Sequence, residues 1–102
     1  EIPSSVGELS SLNLLDLSQN NLVGSIPTQL GRLEELKSLK LSNNKLYLDI
    51  PTQLGNIQPL MELQLSNNKL TGEIPSEIGR LQQLITLDIS SNALSGTIIP
   101  TE

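Results

Sequence analysis

Residues 12–35, LNLLDLSQNNLVGSIPTQLGRLEE, return as LKSLKLSNNKLYLDIPTQLGNIQP at 36–59 and as LMELQLSNNKLTGEIPSEIGRLQQ at 60–83. A shortened unit, LITLDISSNALSGTIIPTE, fills 84–102, and IPSSVGELSS at 2–11 matches the back half of a unit. A 24-residue period held along the chain leaves few folds open. A unit this short cannot bury its own apolar side chains, so neighbours must stack and share one continuous interior. The chain is therefore read as a single domain, 1–102, with a partial repeat at 2–11, full repeats at 12–35, 36–59 and 60–83, and a truncated repeat at 84–102.

Inside each unit the spacing L-x-x-L-x-L-x-x-N-x-L recurs. Leu15 and Leu17 flank Asp16, the alternation of a short strand with one face in and one face out. Leu39 and Leu41, Leu63 and Leu65, and Leu87 and Ile89 repeat that placement. Strands about 4.8 Å apart in successive units make a parallel sheet. Asn20, Asn44, Asn68 and Asn92 follow the strands, where a buried amide can satisfy backbone groups of its own coil and the next. With no Phe, no Trp, one Tyr and one Met, leucine and isoleucine must fill the interior. That suits thin identical layers better than an irregular core packed with aromatics.

The second half of the unit, x-G-x-I-P-x-x-L-G-x-L, is clearest in GSIPTQLGRL. Together the two halves resemble the plant-type leucine-rich repeat family, as found in receptor-like kinase ectodomains and polygalacturonase-inhibiting proteins. The resemblance covers nearly the whole chain. It implies an α/β fold: a right-handed solenoid with a parallel concave sheet and a convex side of 3-10 or irregular turns. It also implies a second short strand at the x-G-x-I-P stretch. The implied function is protein or peptide recognition on the concave face and its flanking surface, within a plant receptor-like ectodomain at the cell surface or outside the cell. Alternatives within the family are a secreted inhibitor of cell-wall-degrading enzymes and a spacer that binds nothing. A plant antifreeze protein uses the same fold, which adds ice binding as a remote third. The family's cysteine-bearing caps and Asn-x-Ser/Thr sequons are absent, and the chain begins with Glu1, so it reads as an excised or processed segment.

Stacking aligns equivalent outward positions into columns. Asp16, Lys40, Gln64 and Asp88 lie between the core leucines; Leu14, Ser38, Glu62 and Thr86 lie two positions earlier, after Asn13, Lys37, Met61 and Ile85. These columns vary while the scaffold does not, which is how a repeat protein encodes a partner. Lys37, Lys40, Met61, Glu62, Gln64, Ile85 and Asp88 are the candidate partner-binding residues of the concave face, with Met61 and Ile85 as an apolar centre. The competing reading of each is a solvated sheet face, with Asp16 and Lys40 as an ion pair worth about 0–1 kcal/mol. The column Ser18, Ser42, Ser66 and Ser90 is read as structural, with hydroxyls bonding the local backbone. The column Gln19, Asn43, Asn67 and Ser91 is read as outward.

Tyr47 and Leu48 break the pattern, standing where other units have Val23–Gly24, Thr71–Gly72 and Ser95–Gly96. Glycine there allows a positive φ or a close backbone approach, so Leu48 implies an ordinary strand conformation in its coil. Either the pair is repeat drift, or Tyr47, with Leu48, anchors a partner on the lateral face.

Several functions are disfavoured. Without His or Cys the usual nucleophilic triads, thiolate metal sites and disulfides are out of reach. Asp16 and Asp88 sit about 15 Å apart at strand spacing, beyond the separations glycosidases use. Glu62 and Asp88 could approach about 8 Å, but an open sheet offers no pocket to shift a pKa. No catalytic residue, metal ligand or cofactor is expected. Eleven acids against six bases argue against nucleic acid. The absence of an apolar run of about 18 residues argues against direct membrane insertion. Leu84, Leu87, Ile89, Leu94 and Ile98 would form an uncovered last rung, from which end-to-end self-association or marginal stability is expected.

Overall fold

The computed structural model describes residues 1–95. Among these residues six strands occur in chain order: β1 (Leu14–Asp16), β2 (Ser38–Lys40), β3 (Tyr47–Leu48), β4 (Glu62–Gln64), β5 (Lys69–Leu70) and β6 (Thr86–Asp88). Strands β1, β2, β4 and β6 form one parallel sheet in that spatial order. Its register aligns Leu15, Leu39, Leu63 and Leu87, so partners lie 24 residues apart and the sequence period is the period of the sheet. Strands β3 and β5 pair separately, Tyr47 with Lys69 and Leu48 with Leu70, and an isolated bridge joins Glu73 to Ser95.

The opposite side carries four 3-10 turns, Ser4–Glu8, Thr28–Arg32, Thr52–Asn56 and Ser76–Arg80. Each follows a proline in extended conformation. Proline's fixed φ suits the entry to a helical turn, where its missing N–H is not needed. Its carbonyl instead accepts the N–H three residues on, as Pro27 does from Leu30 at 3.2 Å and Pro51 from Leu54 at 3.2 Å. The glycine of each L-G step answers a different demand. A Cβ on Gly31 or Gly55 would overlap the backbone carbonyl of Gln53 or Glu77 in the next coil.

The buried hydrophobic core of the described residues is leucine and isoleucine alone. Leu39, Leu41, Leu46, Leu54, Leu60, Leu65 and Leu70 have no solvent exposure, whereas Leu12, Leu15, Leu17, Leu22, Leu84, Leu87, Ile89 and Leu94 in the outer coils are only partly covered. Ile98, Ile99 and Pro100 lie outside the described residues. The asparagines lace the coils together. Asn44 Oδ1 accepts the Leu22 N–H at 3.1 Å, and its Nδ2 donates to the carbonyls of Leu17, Leu41 and Ser42. Asn68 and Asn92 repeat the arrangement one and two coils on.

One column keeps its expected place and two other expectations change. Gln19, Asn43, Asn67 and Ser91 are exposed, as read from the sequence, and take positive φ of 57–62°, forming a left-handed turn just before each ladder asparagine. Asparagine tolerates that region better than most residues, which suits the two central coils. The serines bond across coils as well as locally: Ser66 Oγ donates to Ser42 Oγ at 3.0 Å, and both are buried. Leu48 does not adopt an ordinary strand conformation. Its φ is 67°, close to the 90° and 80° of Gly24 and Gly72. The path is imposed from both sides, because Tyr47 N–H bonds the Gly24 carbonyl at 3.0 Å and Thr71 N–H bonds the Leu48 carbonyl at 2.9 Å. The stack dictates the backbone, and the leucine conforms.

Candidate partner-binding faces

On the four-stranded sheet, the segments leading into β2, β4 and β6 place Lys37, Met61 and Ile85 side by side. Backbone bonds from Met61 N–H to the Lys37 carbonyl and from Ile85 N–H to the Met61 carbonyl, both 2.8 Å, fix that row. With Ser38, Glu62 and Thr86 these residues line a shallow hollow of about 380 Å³. Met61 is 40% and Ile85 76% exposed, so both apolar side chains are open to solvent. Ser38 and Thr86 were not singled out from the sequence, although they stand in the same column as Glu62. Lys40, Gln64 and Asp88 lie further along the strands and do not line the hollow.

Glu62 is held from three directions. Ser38 Oγ donates to its Oε1 at 2.9 Å, Gln64 Nε2 donates to its Oε2 at 2.6 Å, and Lys40 Nζ lies 3.9 Å from Oε1. The ion pair of Lys40 is thus with Glu62, not with Asp16 as expected. Asp16 faces Lys40 in the register, but its carboxylate turns along its own strand to Ser18. It accepts from Ser18 Oγ at 2.6 Å and from Ser18 N–H at 3.0 Å. Those donors hold the Asp16 carboxyl below its ordinary range, with a smaller contribution from the Lys40 charge. Asp88 is engaged the same way by Ser90 Oγ at 2.8 Å and Ser90 N–H at 3.2 Å, which lower its pKa too. The signal was in the sequence as Asp-x-Ser, present only at 16–18 and 88–90 among the strand units. Where the column holds Lys40 and Gln64, the serines are free to pair with one another. Among the described residues Lys37 has no ion-pair partner.

The lateral face is built by β3 and β5. Leu46 and Leu70 point inward with no exposure, so their flanking residues Lys45, Tyr47, Lys69 and Thr71 face out. Tyr47 is 47% and Leu48 55% exposed, and Val23 in the preceding coil is also open. Leu48 therefore stands out from the solenoid and does not cap the core. Among the described residues no group of three or more acids, histidines or cysteines could hold a metal ion, and no helix is long and apolar enough to cross a membrane.

The repeat pattern and the fold match known proteins. Family profiles described as leucine-rich repeat match residues 2–46, and again 59–81 and 83–101. The chain belongs to the leucine-rich repeat family. It is similar to a chain of the BIR3–SERK2 complex of Arabidopsis thaliana, at 50% identity and TM-score 0.90, over 95% of this chain and 52% of that one. It is also similar to the plant peptide hormone receptor RGFR1, solved with RGF2, at 41% identity and TM-score 0.94, over 96% of this chain and 16% of that one. A plant ice-binding protein is 37% identical at TM-score 0.87, over 91% of this chain and 30% of that one. The chain thus spans about half or less of the length of these relatives. No curated protein sequence matches it.

Proposed function

We propose that the chain is a non-catalytic module of a plant receptor-like ectodomain, displayed outside the cell, that binds a protein or peptide on its four-stranded face. Lys37, Lys40, Met61, Glu62, Gln64, Ile85 and Asp88 are the recognition residues. The observation that carries this reading is the open Met61–Ile85 pair, set in a hollow between an uncommitted Lys37 and a fully engaged Glu62. An apolar anchor beside fixed polar groups is what a binding hot spot needs. Relatives solved in the BIR3–SERK2 complex and as a plant peptide hormone receptor support it.

Ice binding has support from the 37% identical plant ice-binding protein. Against it, the hydroxyl row is not presented evenly to solvent: Ser42 and Ser66 are only 5% and 7% exposed, while Ser90 is open. Panning a displayed dodecapeptide library on the chain tests the main reading. Selected peptides should bind about tenfold more weakly to a Met61→Ala/Ile85→Ala variant whose melting temperature is unchanged. Failure to select any peptide, or selection of peptides indifferent to that variant, would favour the spacer reading.

A further inference from the structure

We infer that the lateral face is a second docking surface, formed by Val23, Tyr47 and Leu48 with Lys45 and Lys69, and that it takes an extended acidic segment of a partner protein with an apolar side chain among its acids. It is distinct from the hollow on the four-stranded face and stands without it.

The first observation is conformational. Among the described residues five non-glycine residues have positive φ, and four of them lie in the turn that the coils build at the same place. Leu48 is the fifth, in a slot where Gly24 and Gly72 take the same backbone region freely. A leucine there is disfavoured relative to glycine. Its side chain, 55% exposed, recovers little by burial. Residues held in such conformations by the surrounding structure cluster at functional surfaces.

The second observation is composition. Val23, Tyr47 and Leu48 are three of the large exposed apolar side chains of the described chain, gathered on one strip. A tyrosine with an aliphatic neighbour offers broad contact at low conformational cost.

Charge names the occupant. Lys69 lies directly opposite Tyr47 in the β3–β5 register, and Lys45 sits two residues before Tyr47 on the same side of the buried Leu46. Neither lysine is in an ion pair among the described residues. In a chain of net charge −5 they make a local cationic flank to an apolar patch. Asp49 and Glu73, both exposed, lie on the other side of Leu48 and repel acids there, so the acidic residues of the bound segment are directed to the lysine flank. Two lysines in so acidic a molecule are too few to hold an anionic bilayer, where each is worth about 1 kcal/mol near the surface.

The test is a titration of the 15N-labelled chain with a capped peptide of glutamates and aspartates around a central leucine–phenylalanine pair. Saturable shifts are expected at the amides of Val23, Lys45, Tyr47, Leu48 and Lys69, while those of Lys37, Met61 and Ile85 stay in place. Lys45→Glu/Lys69→Glu should abolish the response, and Tyr47→Ala should weaken it about tenfold. Leu48→Gly is the sharpest variant: the melting temperature should hold or rise while binding weakens. The inference fails if shifts are absent or fall on the four-stranded face, or if a lysine-for-acid peptide binds equally well. It fails equally if Leu48→Gly leaves binding intact, or if phosphatidylserine vesicles shift these amides more strongly than the peptide does. Because Met61→Ala/Ile85→Ala leaves this surface untouched, the two faces succeed or fail separately.

Discussion

The Asn68 carboxamide serves two coils: its oxygen accepts the Leu46 N–H at 3.1 Å while its nitrogen faces the carbonyls of Leu41, Leu65 and Ser66. All of this is buried, so truncation leaves several backbone groups without partners. Asn68→Ala should cost about 2–4 kcal/mol in urea unfolding, whereas Asn20→Ala, whose amide makes only local and exposed bonds, should cost under about 1 kcal/mol. Acid behaviour is also decided by single residues. Because Ser18 and Ser90 lower the carboxyl pKa values of Asp16 and Asp88 in the fold, the stability they confer is complete above the unfolded value near 3.9 and is lost as pH falls through the folded value. Ser18→Ala and Ser90→Ala should flatten the loss of stability below about pH 4, as read from urea midpoints between pH 5 and 2.5. The ladder asparagines were legible in the sequence because a recurrent amide after a strand has few other uses. The partner of Lys40 was not, because column neighbours suggest a pair but cannot reveal that a hydroxyl two residues away already holds Asp16.

Among the elements, the 3-10 turns set how closely coils approach. Gly55 sits against the Glu77 carbonyl with no room for a methyl group, so Gly55→Ala should cost about 1–3 kcal/mol, visible as a lowered melting temperature. The strands of the main sheet could be read directly from Leu-x-Leu spacing, whereas the 3-10 turns were expected only through family resemblance. The second strand was anticipated only through family resemblance, and it falls just before the Ile-Pro step, at Tyr47–Leu48 and Lys69–Leu70. The conformation of Leu48 was misjudged because residue type is a local signal. Hydrogen bonds from the coils on either side outweigh the leucine's own preference for negative φ. One substituted glycine among several intact copies therefore says more about its neighbours' grip than about its own backbone.

As a whole, the described chain is a slab with principal extents of 33 × 33 × 18 Å, fully buried at its centre and only partly covered at its outer coils. Identical substitutions should thus have graded effects: Leu63→Ala about 3–5 kcal/mol, Leu15→Ala and Leu87→Ala about 1–2 kcal/mol, by chemical denaturation. Architecture at this scale was legible because the repeat pattern specifies it many times over. The occupants of its faces were not, since no repeat encodes a ligand. The asparagine ladder also gives the molecule a direction. Asn44, Asn68 and Asn92 each reach back 22 residues to an N–H and 27 to a carbonyl, always into the coil before their own. When a coil detaches, the amide it uncovers belongs to its predecessor, which has not yet moved. Hydrogen exchange at Leu70, Leu46 and Leu22 should therefore time the departure of the coils bearing Asn92, Asn68 and Asn44, so that each of these amides is a clock for the loss of its neighbour.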